Sequence, residues 1–136
     1  MPTIIRFEDI EAWKTARELT RIIYALTEQG QFTRDFGLKN QIQRASVSVM
    51  SNIAEGFESR TQAQFLEYLG RSKASAGEVR CQLYIALDLK YVTQEQFTQV
   101  FDLADKSSRQ LARFMDYLET HPQSRRVREE ESEYEA

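Results

Sequence analysis

Residues 36–56 read FGLKNQIQRASVSVMSNIAEG, and this stretch decides the fold. Leu38, Ile42, Ala45, Val49 and Ile53 recur at steps of three and four, the spacing that lines up one face of an α-helix. The period-two alternation of a strand is missing. A second set, Gln41, Arg44, Ser48, Asn52 and Glu55, keeps the same steps one position away. The stretch therefore predicts a helix with an apolar face for a core and a polar edge beside it.

The same period extends outward in both directions. Over residues 9–29, Ala12, Ala16, Leu19, Ile23 and Leu26 form one stripe, widened by Trp13 and Ile22. Over residues 61–90, with Thr61 as N-cap, the stripe is Phe65, Leu69, Ser72, Ala76, Val79, Leu83 and Ala86. A fourth segment opens at Thr93, where Thr-Gln-Glu-Gln has the form of a capping box. Its stripe is Phe97, Phe101, Ala104, Ser108, Leu111, Met115 and Leu118, and it stops before Pro122. Proline stands only at positions 2 and 122, so nothing between them forbids a helix. Gly30, Gly37 and Gly56 fall near the gaps and are read as helix stops and turns. Four helices on short connections predict an all-α, antiparallel up-down four-helix bundle over residues 1–121. Residues 122–136 are charged and aperiodic and are expected to form a mobile tail.

Composition bounds the function. The chain has 136 residues, 41% hydrophobic and 29% charged, enough for one cored domain. No apolar run is long enough for a signal peptide or a membrane span. The single cysteine, Cys81, has no internal partner, and a reduced, cytoplasmic setting is expected. Net charge is −3, and residues 123–136 carry three arginines against five glutamates, which leaves the body nearly neutral. A basic excess of the kind that marks nucleic-acid binders is missing.

The chemistry-bearing residue types are sparse. The one histidine, His121, falls at the end of the last helix. Di-iron bundles need a Glu-x-x-His pair on each of two helices, and a structural zinc site needs several Cys and His ligands. Neither fits. No phosphate-cradling glycine loop is present. No catalytic residue, metal ligand, cofactor or small-molecule ligand is expected.

Three groups of residues call for an explanation. The third helix carries Ser75, Glu78 and Gln82 beside its core stripe. Facing Gln41, Arg44, Asn52 and Glu55, they would form an inter-helix polar network with Arg44 paired to Glu78. The other reading is two solvated faces. Gly70, Ala74, Gly77 and Cys81 lie on one line opposite that core stripe. Glycine in a helix costs about 1 kcal/mol relative to alanine, so the line is either a close-contact subunit interface or tolerated drift. Lys14, Arg17 and Arg21 lie along the first helix and form a weak candidate nucleic-acid patch.

A family resemblance enters on specific residues. Gln41-Ile42-Gln43-Arg44-Ala45 followed by Ser51-Asn52-Ile53-Ala54-Glu55-Gly56 resembles the central signature of the four-helix-bundle proteins linked to 23S ribosomal RNA intervening sequences. Phe7-Glu8-Asp9-Ile10 with Trp13 and Ala16 resembles that family's first helix. Phe65, Leu69, Ser75, Glu78, Gln82 and Leu83 resemble its third, so the likeness spans about residues 5–118. A related branch is the accessory variability determinant of diversity-generating retroelements, which partners a reverse transcriptase and binds nucleic acid. The resemblance implies a ring-shaped homopentamer. Two positions depart from the pattern. Gln43 stands where an arginine is common, which weakens a nucleic-acid role, and Met50 stands where proline is common, which should leave the second helix less kinked.

Three functions are weighed. The first is a non-enzymatic, self-assembling structural or interaction protein whose partner is a further copy of itself. The second is a nucleic-acid-binding accessory factor, which the charge balance disfavours. The third is an enzyme using Arg44, Glu55 or Glu78, for which no pocket is legible.

Overall fold

The computed structural model describes residues 4–121 and contains four α-helices. These are α1 (Glu11–Thr27), α2 (Phe36–Glu58), α3 (Gln62–Asp88) and α4 (Gln94–Thr120), with short 3-10 turns at Phe7–Asp9 and Phe32–Arg34. Among the described residues there is no strand. The tail expected over residues 122–136 lies outside the described residues. Each helix packs on its neighbours in sequence and α1 also meets α4, which closes a four-helix bundle.

Local chemistry sets the helix ends. Thr61 and Thr93 accept from the backbone N–H of Gln64 and Gln96, whose side chains reach back in two reciprocal capping boxes. Asp35 caps α2 by accepting from Leu38 N at 3.1 Å, and its other oxygen takes the Tyr91 hydroxyl at 3.0 Å. That second bond ties the α1–α2 connection to the one between α3 and α4. It also pushes the Tyr91 phenol above its ordinary pKa, because ionisation would lose the donor and face a carboxylate. Gly30 sits at φ +53°, a turn conformation that suits glycine.

The core has two clusters. One gathers Ile23, Phe32, Leu83 and Val100, the other Ile53, Phe65, Leu69 and Leu111. Serines lie buried where the helices cross mid-length: Ser46, Ser72, Ser107 and Ser108. Helix-to-helix hydrogen bonds form at this level. Thr20 Oγ1 donates to Ser46 O at 3.0 Å, and Ser72 Oγ donates to Val49 O at 2.6 Å.

Three departures from the sequence reading have physical causes. Gly56 is not a helix stop but lies inside α2. A Cβ there would stand 2.7 Å from Tyr68 Cβ and 3.0 Å from Phe65 Cδ1, so glycine is what lets α2 and α3 close together. On α4, Val100, Ser107 and Phe114 are buried while Phe101 and Met115 are half-buried at the rim, so the inward face is turned slightly from the expected stripe. Phe32, in a connection with no helical period, is fully buried and stacks on Tyr91 at 5.2 Å.

Candidate functional site

The polar edge of α2 and that of α3 meet along one groove. Gln41, Arg44, Ser48, Ser75, Glu78 and Gln82 line it with Ala45 at its apolar wall, and its volume is about 330 Å³. The antiparallel course of the two helices puts Gln41 level with Gln82, Arg44 with Glu78, and Ser48 with Ser75.

The serine end of the groove is satisfied internally. Ser75 Oγ donates to Ser48 Oγ at 2.9 Å, and Asn52 Nδ2 donates to Ser48 O at 2.9 Å and to Ser48 Oγ at 2.8 Å. The other end is not. Gln82 is only 9% exposed, and its Oε1 is shielded from solvent with no hydrogen-bond partner. The ion pair expected between Arg44 and Glu78 does not form. Both side chains are exposed, and neither is among the ion-paired residues of the described region. Two solvated charges gain little from being held together and lose side-chain freedom, so proximity alone does not join them. Glu55 is exposed and does not line this groove. Arg44 and Gln41 also border an open depression of about 530 Å³ with Tyr24, Asn40 and Gln43.

The small-residue line lies away from this groove on α3. Gly70 and Gly77 are half-buried, while Ala74 and Cys81 are exposed. A Cβ built on Gly70 would meet only Met115 Cε of α4, at 3.9 Å. Toward the C-terminal end of α3 the line runs into exposed apolar residues: Tyr84 is 52% exposed, Ile85 45% and Leu89 49%. Tyr84 leans on Phe97 and Phe101 of α4, with ring centroids 5.2 and 5.5 Å apart. Sequence reading missed this apolar extension. Its signal was available in Tyr84, Ile85 and Leu89 falling outside the core stripe.

The basic residues of α1 are largely matched to local acids. Lys14 pairs with Glu11 at 3.2 Å, and Arg21 holds Glu18 through two hydrogen bonds, one from Nε at 3.1 Å. The Arg21 guanidinium holds the Glu18 carboxyl below its ordinary pKa, and that carboxylate pushes Arg21 up. Arg17 lies over the Trp13 ring, 5.8 Å from its centroid. Gln43, where the family resemblance anticipates arginine, donates from Nε2 to Thr27 Oγ1 at 2.9 Å and fastens α2 to α1. The Met50 position is uninterrupted helix.

A second cleft of about 330 Å³ lies between the N-terminal segment and α4, lined by Ile4, Ile10, Ala12, Gln110 and Phe114 among others. Among the described residues no cluster of His, Cys, Asp and Glu could hold a metal ion. No described helix is long and apolar enough to cross a membrane. His121 caps α4, exposed, with its ring stacked on Tyr117 at 4.3 Å.

Comparison with known proteins yields a family and a fold. The family model described as "23S rRNA-intervening sequence protein" matches residues 8–113. No curated protein matches. Among solved structures, a protein of unknown function from the S23 ribosomal protein family of Bacteroides thetaiotaomicron superposes with a TM-score of 0.71. The two sequences are 21% identical, and the match covers 77% of this chain and 95% of the other. At that identity the likeness speaks for the shared bundle fold.

Proposed function

Since the chain belongs to the 23S rRNA-intervening sequence protein family, we propose that it works by assembling, as a non-enzymatic cytoplasmic module whose first partner is another copy of itself. One observation carries this reading. The outer face of α3 presents Gly70, Ala74, Gly77 and Cys81 and continues into exposed Tyr84, Ile85 and Leu89. Small residues let a second helix approach closely, and the apolar end supplies area to remove from water, at roughly 25 cal/mol per Å². The ring of five subunits in this proposal rests on the family resemblance.

Light scattering after gel filtration tests the reading, with a discrete oligomer expected and a monomer overturning it. The variant Gly77→Arg locates the contact. A Cβ at Gly77 would meet only Arg80 Nη2, at 3.6 Å, so the monomer accommodates the change. Loss of the oligomer with the helical content of the monomer retained is expected, the thermal midpoint falling by whatever assembly contributed, and an intact oligomer would move the contact off α3.

The charge pattern argues against tight nucleic-acid binding by this chain alone. Such affinity comes mainly from Lys and Arg displacing counterions from phosphates. Here Lys14 and Arg21 already face Glu11 and Glu18. A titration with labelled RNA and duplex DNA at physiological salt is expected to show binding weaker than about 1 μM.

A further inference from the structure

Large apolar side chains stand exposed in two groups on different sides of the bundle. On α3, Tyr84, Ile85 and Leu89 lie within two turns of one another, with Tyr84 leaning on α4. Elsewhere, Phe36, Asn40, Gln43 and Val47 share one outward face of α2 at steps of four and three. Phe36 is 70% exposed and Val47 36%, and Tyr24 of α1, 42% exposed, stands beside this face. The helices pack in the cyclic order α1, α2, α3, α4, so the α1–α2 side lies across the bundle from the α3–α4 side. Single exposed apolar side chains need no explanation, but groups of them mark contact surfaces.

The two groups differ in shape and in charge. The α1–α2 side is concave, with Tyr24 at the edge of the open depression of about 530 Å³. On α3, the three large side chains follow a line of small ones and project beyond it as knobs. Asp88 continues that line seven residues beyond Cys81, and Arg44 borders the depression. Both are exposed, and neither is among the ion-paired residues of the described region. Opposite charges at the edge of an apolar contact set its register more than its strength.

We propose that copies of this chain meet head to tail: Tyr84, Ile85 and Leu89 of one copy seat against Tyr24, Phe36 and Val47 of the next, with Asp88 facing Arg44. This rests on the assembly reading above and adds the surface that α3 meets. A two-fold contact through α3 would set Asp88 near its own copy and leave the α1–α2 group uncovered. A head-to-tail contact covers both groups, and every unclosed assembly keeps one free knob and one free depression until a ring forms.

The test mixes two variants of the full chain and reads their size by sedimentation equilibrium. Ile85→Arg blocks the knob and Val47→Arg the depression. Both positions are exposed, so each monomer accommodates the change, and circular dichroism should show unchanged helix content. Each variant alone is expected to be monomeric. Mixed at about 0.5 mM each, they should form one-to-one pairs that grow no further, because one keeps its depression and the other its knob. At that concentration even a Kd near about 0.1 mM pairs most of the protein. Charge reversal then checks the register. Asp88→Arg and Arg44→Asp should each weaken assembly about tenfold, and a chain carrying both should recover most of it. If Val47→Arg assembles as the unaltered chain does, the contact is two-fold through α3, and the proposal falls while the assembly reading stands. A monomeric unaltered chain overturns both. Mixed variants that stay monomeric, or a double reversal without recovery, overturn the head-to-tail seating alone.

Discussion

The seam between α2 and α3 has two ends built on opposite terms. Near the connection between the helices, Gly56 lets the backbones close until Tyr68 and Phe65 touch the place of its missing side chain. Phe65 then meets Phe57 at 6.1 Å and Phe114 at 5.7 Å, both edge to face. Roughly three to five turns further along, the same helices hold Gln41, Arg44, Glu78 and Gln82 between them and leave a groove. One helix pair thus carries a dry, interlocked end and a wet, partly unsatisfied end. Close helix-to-helix approach marks the first and unmet hydrogen-bonding capacity the second, so the two should respond differently to substitution.

The largest effect is expected from Phe65→Ala. Phe65 is 1% exposed, and truncating a buried phenylalanine typically costs about 3–5 kcal/mol, partly through the cavity it leaves. Chemical denaturation would measure it, and a loss below about 1 kcal/mol would mean the closed end is not the stable one. Gly56→Ala comes next. Alanine favours a helix over glycine by about 1 kcal/mol, but a Cβ at 2.7 Å from Tyr68 and 3.3 Å from the Phe65 carbonyl forces the helices apart. Overpacking typically costs about 1–3 kcal/mol, so a net destabilisation is expected, and a rise in thermal midpoint would show that the helices separate easily.

At the open end the effects shrink and then change sign. Ser48→Ala removes the acceptor shared by Ser75 and Asn52 and should cost about 1 kcal/mol, the net worth of a typical hydrogen bond. The thermal midpoint of this variant checks it, and a loss as large as that of Phe65→Ala would erase the contrast between the ends. Gln82→Leu is expected to be neutral or stabilising by up to about 1 kcal/mol in the free protein, because it exchanges an unpartnered buried amide for an apolar group of similar size. A clear destabilisation would mean that Gln82 has a partner in solution.

Periodicity carried the fold well beyond the segment it was read from. Every residue of the α3 stripe from Phe65 to Ala86 is buried, because a helix facing a core on one side obeys a single period along its whole length. The N-cap at Thr61 and the capping box at Thr93 were equally legible, while the reciprocal bond from Gln64 at Thr61 came only with the structure. What escaped depends on a second element. Gly56 reads as a stop within α2 and becomes a contact only when Phe65 and Tyr68 stand opposite. Phe32 has no period around it and is buried by Tyr91 from another connection. For the groove, spacing could place Arg44 and Glu78 on facing edges but could not decide whether two long, solvated side chains would meet. It could not show that Gln82, rather than the charges, is the group left unsatisfied.

The exposed thiol on α3 carries a consequence for the geometry of assembly. Cys81 is the chain's only cysteine, so any disulfide must join two molecules. In a two-fold dimer each patch meets its own copy, and a residue near the axis faces itself. In a head-to-tail ring one patch meets a different patch, and Cys81 never faces Cys81 across the contact. Mild oxidation therefore distinguishes the two symmetries by covalent bookkeeping: a two-fold contact centred on this stretch yields cross-linked pairs, while a ring leaves its thiols reduced and unlinked, each set against a surface with no sulfur to offer.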